Sequence, residues 1–301
     1  MSMFRRICVG TDFSPEAERG LTSAVHLARM FAAELLLVHV VEAPRFYQRV
    51  LAPVQTRLRS LDETCDLAAE RCRALIAASQ VDGVSADYRV RVGTPFVDLI
   101  DAARIAHADL IVLGHRARSG TERFFLGSTA ERVLRKSTIP VLIAKNTCTD
   151  SPTSLLAPTD LSEGSEPAMA VATALAERWN ARLTFLHVIE PVTHAEVWPL
   201  DASKVELYLA EPGELEPEWQ TTLADIPLSK VNVDRQTVQG SAVAEIVRIA
   251  DELGAGLIVM GTHGRSGVVH ALLGSVAEQV AREARCSVLS VRPREFVFAL
   301  P

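Results

Sequence analysis

Residues 109–128, DLIVLGHRARSGTERFFLGS, and residues 256–275, GLIVMGTHGRSGVVHALLGS, stand 147 positions apart, and their reading decides the fold. Each opens on an apolar run, passes through a glycine-bearing loop and leads into a segment with helical spacing. A buried strand, a glycine loop and a helix start form a phosphate-binding element, because the first amides of a helix lack intrahelical partners and attract anions. The copies differ at one glycine: Gly264 in the second is Ala117 in the first.

Outward from these stretches the repetition continues. Residues 93–144 align with 240–291 at an offset of 147, with 19 of 52 positions identical. Residues 7–42 align with 155–190 at an offset of 148, with 12 of 36 identical. Shared positions include Thr11/Thr159, Asp12/Asp160, Ser14/Ser162, His39/His187, Val40/Val188 and Glu42/Glu190. Repetition of this extent marks a duplication. A chain of 301 residues suits two domains of about 150 residues each, 1–148 and 149–301.

Both copies present one order of elements. A first strand (Ile7 to Gly10; Leu155 to Ala157) ends at Thr-Asp-x-Ser, whose Asp or Ser suits a helix N-cap. A helix follows, with Ala24, Leu27, Ala28 and Phe31, or Ala172, Leu175, Ala176 and Trp179, on one side. A second strand (Glu34 to Val41; Arg182 to Ile189) ends at His-Val-x-Glu, and a third spans Asp87 to Val92 or Asn232 to Val238. A helix, the fourth strand, the glycine loop, a further helix and a last strand (Pro140 to Ala144; Ser287 to Val291) complete each copy. Strands rich in Val, Ile and Leu that alternate with helices predict an α/β fold: two tandem doubly wound domains, each a five-stranded parallel sheet flanked by helices. Between second and third strands the copies diverge. Residues 53–79 predict one long amphipathic helix, whereas 191–231 hold Pro191, Pro199, Pro212, Pro217 and Pro227, so any helix there is short. Trp198 and Trp219 in that segment read either as core or as the cover of a pocket or partner face.

Composition narrows the class. Hydrophobic residues at 48% and charged residues at 23% supply an ordinary globular core. A net charge of −6 argues against nucleic acid as the main partner. No apolar run approaches the roughly 18 residues of a membrane span, and nothing resembles a signal peptide. Cys8, Cys65, Cys72, Cys148 and Cys286 form no CxxC pair and no metal-ligand spacing, so reduced thiols and a cytoplasmic location are expected.

In an open α/β sheet, ligands bind beyond the carboxyl ends of the strands at the topological switch point. There a carboxylate after strand 1 (Asp160; Asp12) can accept hydrogen bonds from a ribose or base edge, and backbone at the end of strand 2 (Val188; Val40) can take an adenine. The glycine loop can cradle phosphates. The second loop has the full spacing, Gly261-x-x-Gly264, nine residues, then Gly274-Ser275. The first has Gly114, Ala117, then Gly127-Ser128. A glycine at positive φ replaced by alanine costs about 1 kcal/mol or more, and an added methyl also obstructs a phosphate. Plainer readings stand beside these. The glycines can simply end strands, Ser275 and Ser128 can be N-caps, Asp160 can cap its helix, and His39 and His187 can be packing residues. His263 and Arg265 can touch phosphate or face solvent.

Strand, Thr-Asp-x-Ser, helix, Leu-x-His-Val, Gly-x-Pro or Gly-Ser-Ala, and G-x2-G-x9-G-S together resemble the universal stress protein family across nearly the whole chain. The resemblance implies an adenine nucleotide alpha hydrolase-like fold and, in the branch that keeps the glycine pattern, binding of ATP, with or without Mg²⁺. It assigns Asp160 and Val188 to the nucleoside and Gly261, Gly264, Gly274, Ser275 and Val276 to the phosphates. Thr159, Met260, His263 and Arg265 join that set. Thr11, Asp12, Val40, Gly114, Gly127, Ser128 and Thr129 take the corresponding parts in the first domain, with Ala117 breaking the pattern. It also implies pairing through the last strand, within the chain or as a homodimer.

The leading expectation is an ATP-binding regulatory module of the stress response with its better site in the second domain. No G-x4-G-K-[ST] lysine, no Mg²⁺ carboxylate pair and no nucleophile–base spacing is present, so at most slow ATP hydrolysis is expected. An adenylate-using enzyme lacks its HIGH or SGGxDS signature. An interaction scaffold without nucleotide is the remaining class, favoured by Ala117 for the first domain only.

Overall fold

The computed structural model describes residues 3–42, 54–79, 83–115, 126–145, 151–190, 212–262 and 275–292. The chain divides near residue 150 into two compact units. Unit 1 runs β1 (Arg6–Thr11), α1 (Pro15–Phe31), β2 (Glu34–Glu42), α2 (Val54–Ala78), β3 (Ala86–Gly93), α3 (Pro95–Ile105), β4 (Leu110–Gly114), α4 (Ser128–Lys136) and β5 (Val141–Ala144). Unit 2 runs β6 (Ser154–Thr159), α5 (Glu166–Trp179), β7 (Arg182–Ile189), a 3₁₀ turn (Pro212–Glu214) and α6 (Glu216–Leu223). It continues with β8 (Asn232–Gln239), α7 (Ala242–Glu252), β9 (Leu257–Gly261), α8 (Ser275–Glu283) and β10 (Ser287–Val291).

The strand order is β3-β2-β1-β4-β5 in unit 1 and β8-β7-β6-β9-β10 in unit 2, and the pairs are parallel. Parallel strands need crossovers, which the helices supply, and helices on both faces bury both sides of the sheet. The central strands accordingly carry unbroken apolar runs: Ile7, Cys8, Val9 and Leu110 to Val112 have no exposure, nor do Leu155 to Ala157, Ile258 and Val259. The edge strands β3 and β8 alternate between half-buried and exposed residues.

Local chemistry sets the helix ends. Ser14 caps α1 by accepting the Ala17 N–H at 3.2 Å, with Pro15 at the first helical position. In unit 2 the expected start is displaced. Glu163 and Gly164 replace Pro15 and Glu16, the chain makes a turn instead, and α5 begins at Glu166 with Ser165 in the cap position and no side-chain cap bond. Asn180 ends α5 in the left-handed region at φ 52°, a conformation its short amide tolerates. The long helix expected over 53–79 is α2. In the proline-rich segment the described helix α6 has eight residues. Trp219 on α6 is core, 4% exposed, with its indole N–H bonded to Thr237 Oγ1 at 3.2 Å. Trp198 lies outside the described residues. Cys8, Cys72 and Cys286 are buried, Cys65 is half-buried, and none of the four is in a disulfide. No described helix is long and apolar enough to cross a membrane.

Candidate functional site

In each unit the strand order reverses between the first and fourth strands. β1 pairs with β2 on one side and β4 on the other, and β6 pairs with β7 and β9. The crossovers leave these neighbours in opposite directions and open a crevice at their carboxyl ends. Thr11-Asp12 and Gly114 meet there in unit 1, and Thr159-Asp160 and Gly261 in unit 2. Residues about 100 positions apart in sequence thus share one rim.

The Thr-Asp-x-Ser segment folds into the same turn twice. Thr11 Oγ1 accepts the Phe13 N–H at 3.0 Å, and Thr159 Oγ1 accepts the Leu161 N–H at 3.0 Å. Ser14 donates its N–H and hydroxyl to Asp12 Oδ1, and Ser162 does the same to Asp160 Oδ1 at 3.2 and 2.6 Å. Phe13 and Leu161 between them adopt φ 62° and 59°, the left-handed region that is costly for a residue with a Cβ. The turn is locked from the next strand: His39 Nδ1 donates to the Thr11 carbonyl at 2.8 Å, and His187 Nδ1 to the Thr159 carbonyl at 2.9 Å. A carbonyl only accepts, so Nδ1 carries the proton in both rings. These histidines therefore position the aspartate turn. The aspartates are not helix caps, since Ser14 and Ser165 hold those positions.

Around this shared turn the units differ. In unit 1 the Phe13 ring lies 4.3 Å from the His39 ring, and the Arg71 guanidinium of α2 stacks over it at 4.1 Å. In unit 2 Leu161 is buried and its carbonyl accepts the Thr222 hydroxyl of α6 at 3.4 Å. The central ladders differ too. Ile111 N–H bonds the Pro140 carbonyl, so the amides of Leu110 and Val112 face β1. The bridge Val9↔Val112 then uses the amide of Gly10. Pro158 stands in that place in β6 and has no N–H, so the β6–β9 ladder ends at Leu156↔Ile258.

Gly114 has a structural reason of its own. A Cβ there would lie 2.0 Å from the Glu16 carbonyl oxygen and 2.8 Å from the Ala17 nitrogen, because the first turn of α1 rests on this residue. At the other end of the loop, Gly127 is the N-cap of α4 and Ser128 its first residue, so Ser128 is not the cap. Glycine offers no side-chain acceptor, and no side chain caps α4. The first amides of α4 thus face the loop as anion donors. Ser275 opens α8 in the same way, with Ser275 exposed and Val276 half-buried.

The remaining sequence-derived residues fall as follows. Val40 and Val188 end the second strands half-buried, paired with Arg91 and Val238. Thr11 and Thr159 are buried, Asp12 is exposed and Asp160 half-buried. Met260 is a core side chain, 5% exposed, with backbone register to Ser290. Thr129 follows Ser128 half-buried. His263, Gly264, Arg265, Gly274 and Ala117 lie outside the described residues. One position escaped the sequence reading. His115, directly after Gly114, is 8% exposed, its Nε2 has no hydrogen-bond partner among the described residues, and its N–H donates to the Ala144 carbonyl at 2.9 Å. Burial pushes its pKa down to about 4, with the Lys145 and Arg19 charges adding and Glu16 opposing. Its counterpart in unit 2 is Thr262, one of several positions at which the two loops differ, so the sequence carried no distinct signal for it.

The sequence model of the universal stress protein family matches residues 3–145 and again 153–292. The chain belongs to the universal stress protein family. A universal stress protein of Mycolicibacterium smegmatis is 30% identical over 295 residues, covering 96% of this chain and 97% of that one. A universal stress protein of Archaeoglobus fulgidus shares the fold, with a TM-score of 0.72 at 21% identity and coverage of 98% and 99%. A universal stress protein crystallised in complex with cAMP is 26% identical and covers 48% of this chain and 99% of its own, with a TM-score of 0.35.

Proposed function

We propose that this universal stress protein binds ATP at the switch point of unit 2 and acts as a nucleotide-dependent regulatory module of the stress response. The observation that carries the reading is the neighbourhood of β6 and β9, which joins the Asp160 turn to the start of the glycine loop at Gly261. Asp160, fixed by Ser162 and backed by His187, is the acceptor for ribose or base, and the backbone at Val188 takes the adenine edge. Gly261, Gly264, Gly274, Ser275 and Val276 receive the phosphates, with His263 and Arg265 at the loop's centre. The residues fit an anionic ligand: a helix start opened by serine and a loop with glycine at each close approach suit phosphate oxygens. Among the described residues no group of three or more His, Cys, Asp or Glu is arranged to hold a metal, so Mg²⁺ enters on the nucleotide rather than in a protein cage. The residues gather charge without offering a nucleophile or base, which supports ligand-dependent signalling with at most slow hydrolysis. Buried thiols suit a reducing cytoplasm.

Unit 1 keeps Asp12, Val40, Gly127, Ser128 and Thr129 around the same crevice but carries Ala117 in the loop, and we assign it the weaker affinity. Denaturing the purified protein and chromatographing the released small molecules tests the reading, together with ATP calorimetry. Gly274→Val is expected to abolish binding in unit 2, and Ala117→Gly to strengthen it in unit 1. Recovery of no adenine nucleotide combined with no heat of ATP binding would sink the proposal.

A further inference from the structure

The carboxyl end of β10 carries a charge that the nucleotide reading has not used. Arg292 follows Val291 directly and is 6% exposed. Burial pulls its pKa down to about 10, which leaves the guanidinium charged at neutral pH. The parallel register pairs Met260 with Ser290 and Gly261 with Val291, and the Thr262 N–H donates to the Val291 carbonyl at 3.2 Å. The next step of that register sets Arg292 beside Thr262, where the chain leaves β9 for the glycine loop. Thr262 is itself 1% exposed, so this corner is interior.

Unit 1 repeats the arrangement with a lysine. His115 and Lys145 hold the places of Thr262 and Arg292, and the His115 N–H donates to the Ala144 carbonyl. After burial, the Lys145 charge is the largest influence on the His115 ring. The cation beyond the last strand therefore acts on the first residue of the glycine loop. In unit 2, α8 packs on β10, and its N-terminal residues follow that loop. A helix N-terminus contributes partial positive charge at the same end of the sheet. A guanidinium adds a planar fork that matches two phosphate oxygens at once.

Strand order fixes what can reach it. The nucleoside residues stand at the ends of β6 and β7, while Arg292 follows β10, three strand spacings from β7, about 14 Å. With a nucleoside at Asp160 and Val188, the phosphate chain would run across β9 towards β10, so its far end would come nearest Arg292. A longer phosphate chain is needed to approach β10.

We infer that Arg292 reads the distal phosphates in unit 2 and sets a preference for nucleoside triphosphate over monophosphate. This rests on the nucleotide reading above. Calorimetric titration of the full chain with ATP, ADP and AMP tests it, on the wild-type protein, Arg292→Gln and Arg292→Lys, with thermal unfolding measured in parallel. Arg292→Gln is expected to weaken ATP about tenfold or more, the weight of a charged hydrogen bond, and to leave AMP within about twofold. Arg292→Lys is expected to fall between, keeping the charge without the fork. Unchanged ATP affinity, or equal losses for ATP and AMP, overturns the inference. If Arg292→Gln does not fold, Arg292→Lys decides: a lowered ATP-to-AMP preference supports the inference and an unchanged one overturns it. A wild-type protein that binds no nucleotide removes the reading of unit 2 and this inference with it. Wild-type binding that both variants keep removes the inference alone.

Discussion

In unit 1 helix α1 begins at Pro15, directly after the aspartate turn, and its first turn rests on Gly114. In unit 2 helix α5 begins at Glu166, after an additional turn, although the preceding Thr-Asp-x-Ser segment folds identically. The seat of α1 depends on a glycine. A Cβ on Gly20 would lie 2.9 Å from the Gly114 nitrogen, so α1 sits as close as glycine permits. Unit 2 has Ala168 at that position, so a methyl stands where unit 1 carries none. Pro158 then removes a ladder bond between β6 and β9 that Gly10 keeps between β1 and β4. The duplicated sequence therefore yields one turn and two differently built crevices, one with α1 seated on Gly114 and one with a shorter ladder between its central strands. Identity at the motif does not make the two sites equal, because helix seat and ladder length are set by neighbours outside it.

The largest expected effect lies at the Gly114 crevice. Gly114→Ala forces a methyl against the backbone of Glu16 and Ala17 and is expected to cost roughly 4 kcal/mol or to unfold unit 1. Gly261→Ala is expected to cost less, since α5 begins three positions later in the repeat than α1 does. Urea unfolding of both variants measures the contrast, and equal losses would break it.

A second contrast is electrostatic. The unfolded chain protonates His115 near pH 6.5, the folded chain only near 4. Stability from this group is complete above pH 6.5 and declines as pH falls from there towards 4, by about 3 kcal/mol at most. His115→Thr, the residue unit 2 carries, is expected to flatten that decline. Unfolding midpoints at pH 7 and pH 4.5 decide it, and an unchanged slope would place the acid sensitivity elsewhere.

The smallest effect concerns the cores. Thr184 in β7 is fully buried with no partner for its hydroxyl, where unit 1 has Leu36. Removing an unsatisfied hydroxyl without changing shape, as in Thr184→Val, is expected to stabilise unit 2 by about 1 kcal/mol. A lower melting temperature would show that the hydroxyl is satisfied after all.

Much of this was legible beforehand. The strands follow the apolar runs to within one or two residues, Ser287–Val291 without any shift, because a doubly covered parallel strand leaves its mark residue by residue. The long α2 and the short α6 followed from helical spacing and from proline. The α5 start did not, since Ser162 reads as well for a cap as Ser14. Only the turn at Glu163-Gly164 moves the helix onward. Glycine at 114 suggested a phosphate, yet its geometry is already explained by packing. The histidines were correctly open to a packing role, but that they lock the aspartate turn depends on a carbonyl 28 residues away.

By itself the sequence determined the duplication, the order of strands and helices, the two glycine loops and the break at Ala117. All of these are written in local periodicity and in residues with special backbone chemistry. Tertiary structure alone decided that β6 lies beside β9, that α1 presses on Gly114, that His115 is enclosed, and that Arg292 is buried next to Thr262. Each depends on which distant segments become neighbours, and that is fixed by packing across the sheet rather than by spacing along the chain.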